Sequence, residues 1–360
     1  MLDDIFVINP VAHAYNMAPE NLVANKYAKP LYDQLQWLHY GWNPPGVGLT
    51  PAEQSHDWTV ETMARTLFLE SDVDLAAHHT LRLDSYFKDG LCRHEKTLEA
   101  VTRYPQRFFA YVGLDPTKGL DVCLREFDEQ LADIPNPVGL KFYPAQVDPL
   151  RSWRMDDPAL AFPLFERARE AGIKTIAIHK AAPLGPVPVD PFRVDDIEGA
   201  ADAFPDMAFE IVHAGIAFAT ETAMAIGRYA NVYANLEVTS SLLIKAPLHF
   251  ERVLGEFLTW AGPEKIIFSD GSIVFHSQPI IEALFGLDRL NEFAIELTHE
   301  DKALILGGNY ARIIGLDIAA AKAAIADDEF ARERARTGRQ EPYSNWRATL
   351  AANQPAGANA

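Results

Sequence analysis

Four side chains stand where an α/β enzyme would use them. His13 follows the apolar run Ile5–Val11, His179 closes Lys174–His179, His213 closes Ala208–His213 and Asp270 closes Lys265–Asp270. A lone histidine ending a strand is usually a core or surface residue. Three strands of the second half all ending in His or Asp point instead to a shared mouth. Imidazole and carboxylate together suit zinc, iron or manganese, and three ligands with an open position suit catalysis. Such an ion brings the pKa of bound water from 15.7 towards about 7. A neighbouring His213 or Asp270 can then take the remaining proton. The residue types alone do not separate a ligand from a base.

Eight runs must position these groups: Ile5–Val11, Asp72–His79, Arg107–Gly113, Val138–Pro144, Lys174–His179, Ala208–His213, Asn231–Val238 and Lys265–Asp270. They are rich in Val, Ile, Phe and Tyr and mostly lack alternation, as parallel strands covered on both faces do. Helical patterns separate them. Thr50-Pro51-Ala52-Glu53 supplies an N-cap, a first-turn proline and a capping glutamate. Asp157-Pro158 opens another helix that Gly172 closes, with Pro163 kinking it or delaying its start. This alternation predicts a (β/α)8 TIM barrel over residues 1–317, whose chemistry sits at the C-terminal strand ends. A doubly wound dinucleotide-binding sheet is disfavoured, because AHAYNMAPEN after the first run lacks the glycine-rich turn.

Side chains alternate across a strand. His179 therefore shares a face with Ala177 and Thr175, His213 with Ile211 and Phe209, and Asp270 with Phe268 and Ile266. The same parity places Glu210 opposite His213, outside the barrel, and turns Lys180 away from His179. Lys141 shares a face with Tyr143. Glu237 closes the seventh strand, where it would orient a ligand imidazole. His276 follows Asp270 on a loop at the mouth, as a substrate contact or as plain surface.

Three segments are additions. Residues 16–50, with Tyr32, Trp37, His39, Tyr40 and Trp42, form an insert that serves as a lid or as a subunit contact. Residues 181–194 are a stiff proline-rich loop beside His179. Residues 318–338 read as a helix and 339–360 as a polar tail, disordered or embracing a neighbour. Thirty-two basic against fifty acidic residues give a net charge of −18, which argues against nucleic acid as a partner. The two cysteines, Cys92 and Cys123, lack metal-type spacing and are expected to be reduced in a cytoplasmic protein. MLDDIF has no signal-peptide pattern, and no apolar run approaches a membrane span. Neither a phosphate loop nor a Ser or Cys nucleophile motif occurs.

The segments AHAYN, RFFAYVGLDP, GLKFYPA, AIHK, EIVHAG, NVYANLEVTS, GPEKIIFSDG and LGGNYARIIGLD run in order from residue 5 to about 317. Together they resemble the amidohydrolase superfamily. Within it they are most similar to the amidohydrolase-related branch that includes nonoxidative decarboxylases such as aminocarboxymuconate semialdehyde decarboxylase. The resemblance implies a metal at the barrel mouth. His13 matches the second histidine of the first-strand HxH motif, His179 the fifth-strand ligand, His213 the sixth-strand histidine and Asp270 the eighth-strand aspartate. It departs at Val11, which occupies the first HxH position, and at Asn9, where the family often has Asp.

Three expectations follow. In the first, His13, His179 and Asp270 hold one divalent ion, with zinc favoured, and His213 acts as base or electrostatic stabiliser. The chain is then a hydrolase or nonoxidative decarboxylase for a small organic substrate, an aromatic one among the candidates, contacted by Trp37, Tyr143 and His276. In the second, His39, His78, His79 and His213 add ligands for two Fe or Mn ions, and the barrel resembles dinuclear oxygenases that activate O2. In the third, the loss at Val11 leaves a metal-poor scaffold subunit of a heteromeric enzyme. Some superfamily relatives carbamylate a fourth-strand lysine as a metal bridge; GLKFY reads here as structural. Homo-oligomers, or hetero-oligomers with a related chain, are expected.

Overall fold

The computed structural model describes residues 4–353. Eight parallel strands form one sheet in sequence order: β1 Ile8–Ala12, β2 Leu75–His79, β3 Phe108–Leu114, β4 Gly139–Phe142, β5 Thr175–His179, β6 Ala208–Val212, β7 Val232–Asn235 and β8 Ile266–Ile267. Every expected strand is present. The sheet curls until its edges meet, where Ala12 bridges Ser272 and the His13 amide donates to the Ser272 carbonyl at 2.8 Å. The seam is reinforced by Asn9. Its amide donates to Asp270 Oδ1 at 2.7 Å, and its Oδ1 accepts from Ser269 Oγ at 2.9 Å. The architecture is the TIM barrel.

The lack of alternation in the strands has a direct cause: both faces are buried. Ile176, Ile178, Phe209, Ile211, Val232 and Ala234 pack outward against the helices. Leu75, Ala77, Tyr111, Ala177, Val212, Tyr233 and Ile267 fill the lumen. Lys141 on β4 stands level with Gly113 and Ala177 on its neighbours. Lumen packing is tight enough that a Cβ at Gly139 would fall 2.2 Å from the Tyr111 ring.

Glu210 corrects the parity argument. It lies inside the barrel, wholly buried, accepting hydrogen bonds from Tyr111 Oη at 2.6 Å, Thr175 Oγ1 at 2.7 Å and Asn235 Nδ2 at 2.7 Å. Its face is therefore the lumen face. Ile211 and Phe209, expected to share the site's face with His213, point outward.

The insert after β1 carries a helix, Ala28–Trp42, and a short turn of helix, Pro51–Gln54, follows it, opened by the expected Thr50–Glu53 capping box. The helix expected from Asp157 begins later, at Ala161, which leaves Pro163 in its first turn, where its missing N–H costs nothing. The C-terminal segment is not a free tail up to residue 353. Helices Ile318–Ile325, Glu329–Thr337 and Ser344–Asn353 follow the barrel. Trp346 is buried with its ring stacked on Trp58, centroids 4.0 Å apart. The end of the expected tail, 354–360, lies outside the described residues. Among the described residues no single helix is long and apolar enough to cross a membrane. Both cysteines are buried and unpaired.

Candidate active site at the barrel mouth

A cavity of about 320 Å³ opens at the C-terminal ends of the strands. His13, Lys141, Tyr143, His179, His213 and Glu237 form its polar floor. Leu35, Trp37, Leu38 and Trp42 from the insert helix, with Ala182, Pro183 and Leu184 from the proline-rich loop, supply apolar walls. The two covers are tied together by a hydrogen bond from the Gly185 amide to Gln34 Oε1 at 2.9 Å. The insert thus covers the site, and the proline-rich loop lies beside His179 as expected.

His179 reaches the floor by ordinary alternation along β5. His213 does not. It follows β6 with φ +67°, and this left-handed residue turns its ring from the outward parity of Ile211 into the mouth. Gly271 serves a related purpose beyond β8. Its φ is +74°, and a Cβ there would stand 2.2 Å from Glu237 Oε1, so only glycine lets the chain pass the carboxylate.

The floor residues form a relay. His179 Nε2 lies 2.7 Å from the Ala182 carbonyl, which can only accept, so Nε2 carries the proton. Its Nδ1 then accepts from His213 Nε2–H at 2.6 Å. His213 Nδ1 is left facing Glu237, in close contact with carboxylate Oε2 and 3.2 Å from the backbone carbonyl. Burial and the charge of Lys141 hold the His213 imidazole well below its ordinary pKa. Burial pushes the Glu237 carboxyl up to about 7, against the pull of Lys141. Burial brings Lys141 down to about 8, opposed by Glu237 and Glu210. The Glu237 carboxyl is therefore poised to hold or release a proton near neutral pH, in close contact with an imidazole that burial keeps neutral there.

The other candidate residues divide clearly. Of the β2 pair, His79 faces the lumen, stacked on Tyr111 at 3.9 Å with Nε2 2.6 Å from the Pro10 carbonyl. His78 points outward, its Nδ1 on Thr97 Oγ1 at 2.9 Å and its Nε2 accepting from the Ala14 amide at 3.2 Å. His39 fastens the insert, with Nδ1 2.6 Å from the Val274 carbonyl and Nε2 accepting from the Leu49 amide at 2.7 Å. Neither His39 nor His78 has a nitrogen left for a metal. His276 is not at the cavity; it is buried 3.2 Å from Glu70 Oε2 and caps the following helix. Asp270 lies under the seam, where its Oδ1 also accepts from the Ser272 amide at 2.8 Å, and burial raises its pKa. Trp37 and Tyr143 do line the cavity.

The expected ligands do not form a metal centre. Among the described residues no three His, Cys, Asp or Glu side chains converge on a point that an ion could occupy. His13 Nδ1 and Asp270 Oδ2 have no partner, but both nitrogens of His179 are taken. Val11 is fully buried and offers no donor. Glu237 faces the mouth beside a site imidazole, as its place at the end of the seventh strand predicts, whereas Lys141, expected to be structural, also lines the cavity. The signal was present for Lys141, which shares its parity with Tyr143.

Fold and mouth define a TIM-barrel protein with a histidine-rich C-terminal site. The chain belongs to the amidohydrolase family, whose model matches residues 48–316. No curated protein matches it in sequence. Among solved structures it is similar to an uncharacterised TIM-barrel protein from Bordetella bronchiseptica, at 15% identity over 86% of this chain and 99% of that one, TM-score 0.62. It is also similar to a dihydroxybenzoic acid decarboxylase from a Polaromonas species, solved with manganese and 2-nitroresorcinol. There the identity is 13% over 88% of this chain and 99% of that one, TM-score 0.57. The third is 5-carboxyvanillate decarboxylase from Sphingomonas paucimobilis, at 16% identity over 87% of this chain and 100% of that one, TM-score 0.56. At such identities these likenesses establish the fold.

Proposed function

We propose that this chain is an enzyme that hydrolyses or nonoxidatively decarboxylates a small aromatic molecule, using the Glu237–His213 pair for proton transfer. One observation carries the reading: a carboxyl that burial lifts to about 7 lies in close contact with a buried imidazole on the floor of an apolar-walled cavity. An ideal proton-transfer group has a pKa near the working pH. The apolar walls exclude water and hold a flat ring over the floor. In hydrolysis, Glu237 takes a proton from the attacking water and passes it to the leaving group. In decarboxylation, the C–C electron pair stays on the ring carbon as CO2 departs, and Glu237 delivers the proton that replaces it. In both, His213 exchanges the proton with Glu237 and His179 fixes the tautomer of His213. The decarboxylase names among the solved relatives support the substrate class.

A metal-assisted form of this reading has its own support in the unpartnered His13 Nδ1 and Asp270 Oδ2 and in the manganese of the Polaromonas relative. It requires His179 to release His213. The dinuclear oxygenase reading lacks His39 and His78 as donors.

Purified protein should be assayed for CO2 release from aromatic acids and for hydrolysis of aromatic esters, lactones and amides, alongside metal analysis. The expected result is turnover that His213→Ala and Glu237→Gln each lower by about 10²-fold or more. Full activity in either variant would falsify the relay. One ion per chain that activity requires would establish the metal-assisted form.

A further inference from the structure

The reaction scheme above leaves the cavity's single cation unused. Lys141 is 2% exposed and, among the described residues, is the only Lys or Arg lining the cavity. Its Nζ makes no hydrogen bond among those residues and lies 5.4 Å from the Tyr143 ring centroid. Its charge reaches His13, His79, His179 and His213. Buried ammonium groups are ordinarily paired or hydrogen-bonded, because desolvation is costly. The nearby carboxylates are otherwise engaged. Glu210 accepts from Tyr111, Thr175 and Asn235, and Glu237 faces His213.

We propose that Lys141 anchors the carboxylate of a small aromatic acid whose ring lies against Trp37 and Leu184. This deepens the proposed function and rests on its reading of the cavity as the substrate site. The ammonium supplies a positive charge on the cavity floor, where a carboxylate can pair with it. Anchoring also constrains the reaction. A carboxylate held by an ammonium loses that ion pair if it leaves as CO2, so the anchored carboxylate is the one retained. The substrate is then a carboxylate-bearing ester, lactone or amide, or an aromatic acid with a second carboxylate that departs.

Calorimetric titration of chelator-treated, full-length protein at pH 7 tests this with benzoate and its neutral isostere benzamide. Benzoate is expected to bind at least ten-fold more tightly than benzamide. Lys141→Met should weaken benzoate ten-fold or more and leave benzamide unchanged, while Lys141→Arg, which keeps the charge if the Met variant fails to fold, should retain the preference. Equal binding of the two probes, wild-type benzoate affinity in Lys141→Met, no benzoate binding at all, or binding only after manganese is added would each overturn the anchor. Binding is read without turnover. Failure here leaves the kinetics of the Glu237 and His213 variants standing, and normal activity in those variants would sink the relay without touching the anchor.

Discussion

Two polar clusters share the lumen of this barrel and differ in one respect. The lower one, centred on Glu210, is closed. Both carboxylate oxygens accept hydrogen bonds, and Tyr310 Oη extends the network by donating to Tyr111 Oη at 3.0 Å. The upper one is open. Its relay ends at a cavity, Lys141 lacks a hydrogen-bond partner and His13 Nδ1 is unsatisfied. A closed buried network rigidifies a fold. An open one leaves polar atoms at a surface that a ligand can reach, here His13 Nδ1 and the Lys141 ammonium at the cavity.

The contrast can be broken by substitution in each cluster. The largest effect is expected for His213→Ala, with turnover falling by about 10²- to 10⁴-fold and thermal stability nearly unchanged. A steady-state assay beside a melting curve checks both halves; an unfolded variant would place His213 in the scaffold. Glu210→Ala should do the opposite. It strands three buried donors and should cost about 3–5 kcal/mol of stability in a denaturant titration. A fully stable Glu210→Ala protein would erase the distinction between the clusters.

A smaller effect sharpens the electrostatics. Glu237 titrates near 7 when folded against an ordinary value of 4.5. Its contribution to stability is full below about 4.5 and is lost as pH rises through 7. Wild type should therefore lose stability relative to Glu237→Gln between pH 5 and pH 7.5, on the order of 2 kcal/mol. Denaturant midpoints at the two pH values measure it, and a pH-independent gap would refute the raised pKa. The smallest effect is expected at the rim. Trp37 lines the cavity yet is 57% exposed. Trp37→Ala should raise KM by roughly three- to ten-fold with little change in kcat, since part of its apolar surface already meets water.

Much of this is legible in the amino-acid sequence. The eight runs, the capping box at Thr50, the long insert and the placement of His13, His179 and His213 at one mouth follow from apolar patterning and chain punctuation. Less legible were the directions of individual side chains. His39 looked like a spare ligand and proved to fasten the insert through both ring nitrogens. His276 looked like a mouth residue and pairs with Glu70 under the C-terminal helices. Asp270 reaches the seam rather than the cavity wall, because β8 ends at Ile267 and the chain then turns.

The sequence by itself determined the barrel, since runs buried on both faces and separated by helices have few other ways to cover themselves. It also determined that histidines gather at the strand ends. Only the tertiary structure decided which of them face the cavity. Alternation predicts direction while the backbone stays extended, and it stops doing so at the first left-handed residue or turn. At His213 a φ of +67° reverses the parity, and at Gly271 the passing carboxylate of Glu237 dictates the residue. Those reversals lie where the strands end, so the residues nearest the chemistry are the ones whose orientation local pattern cannot fix.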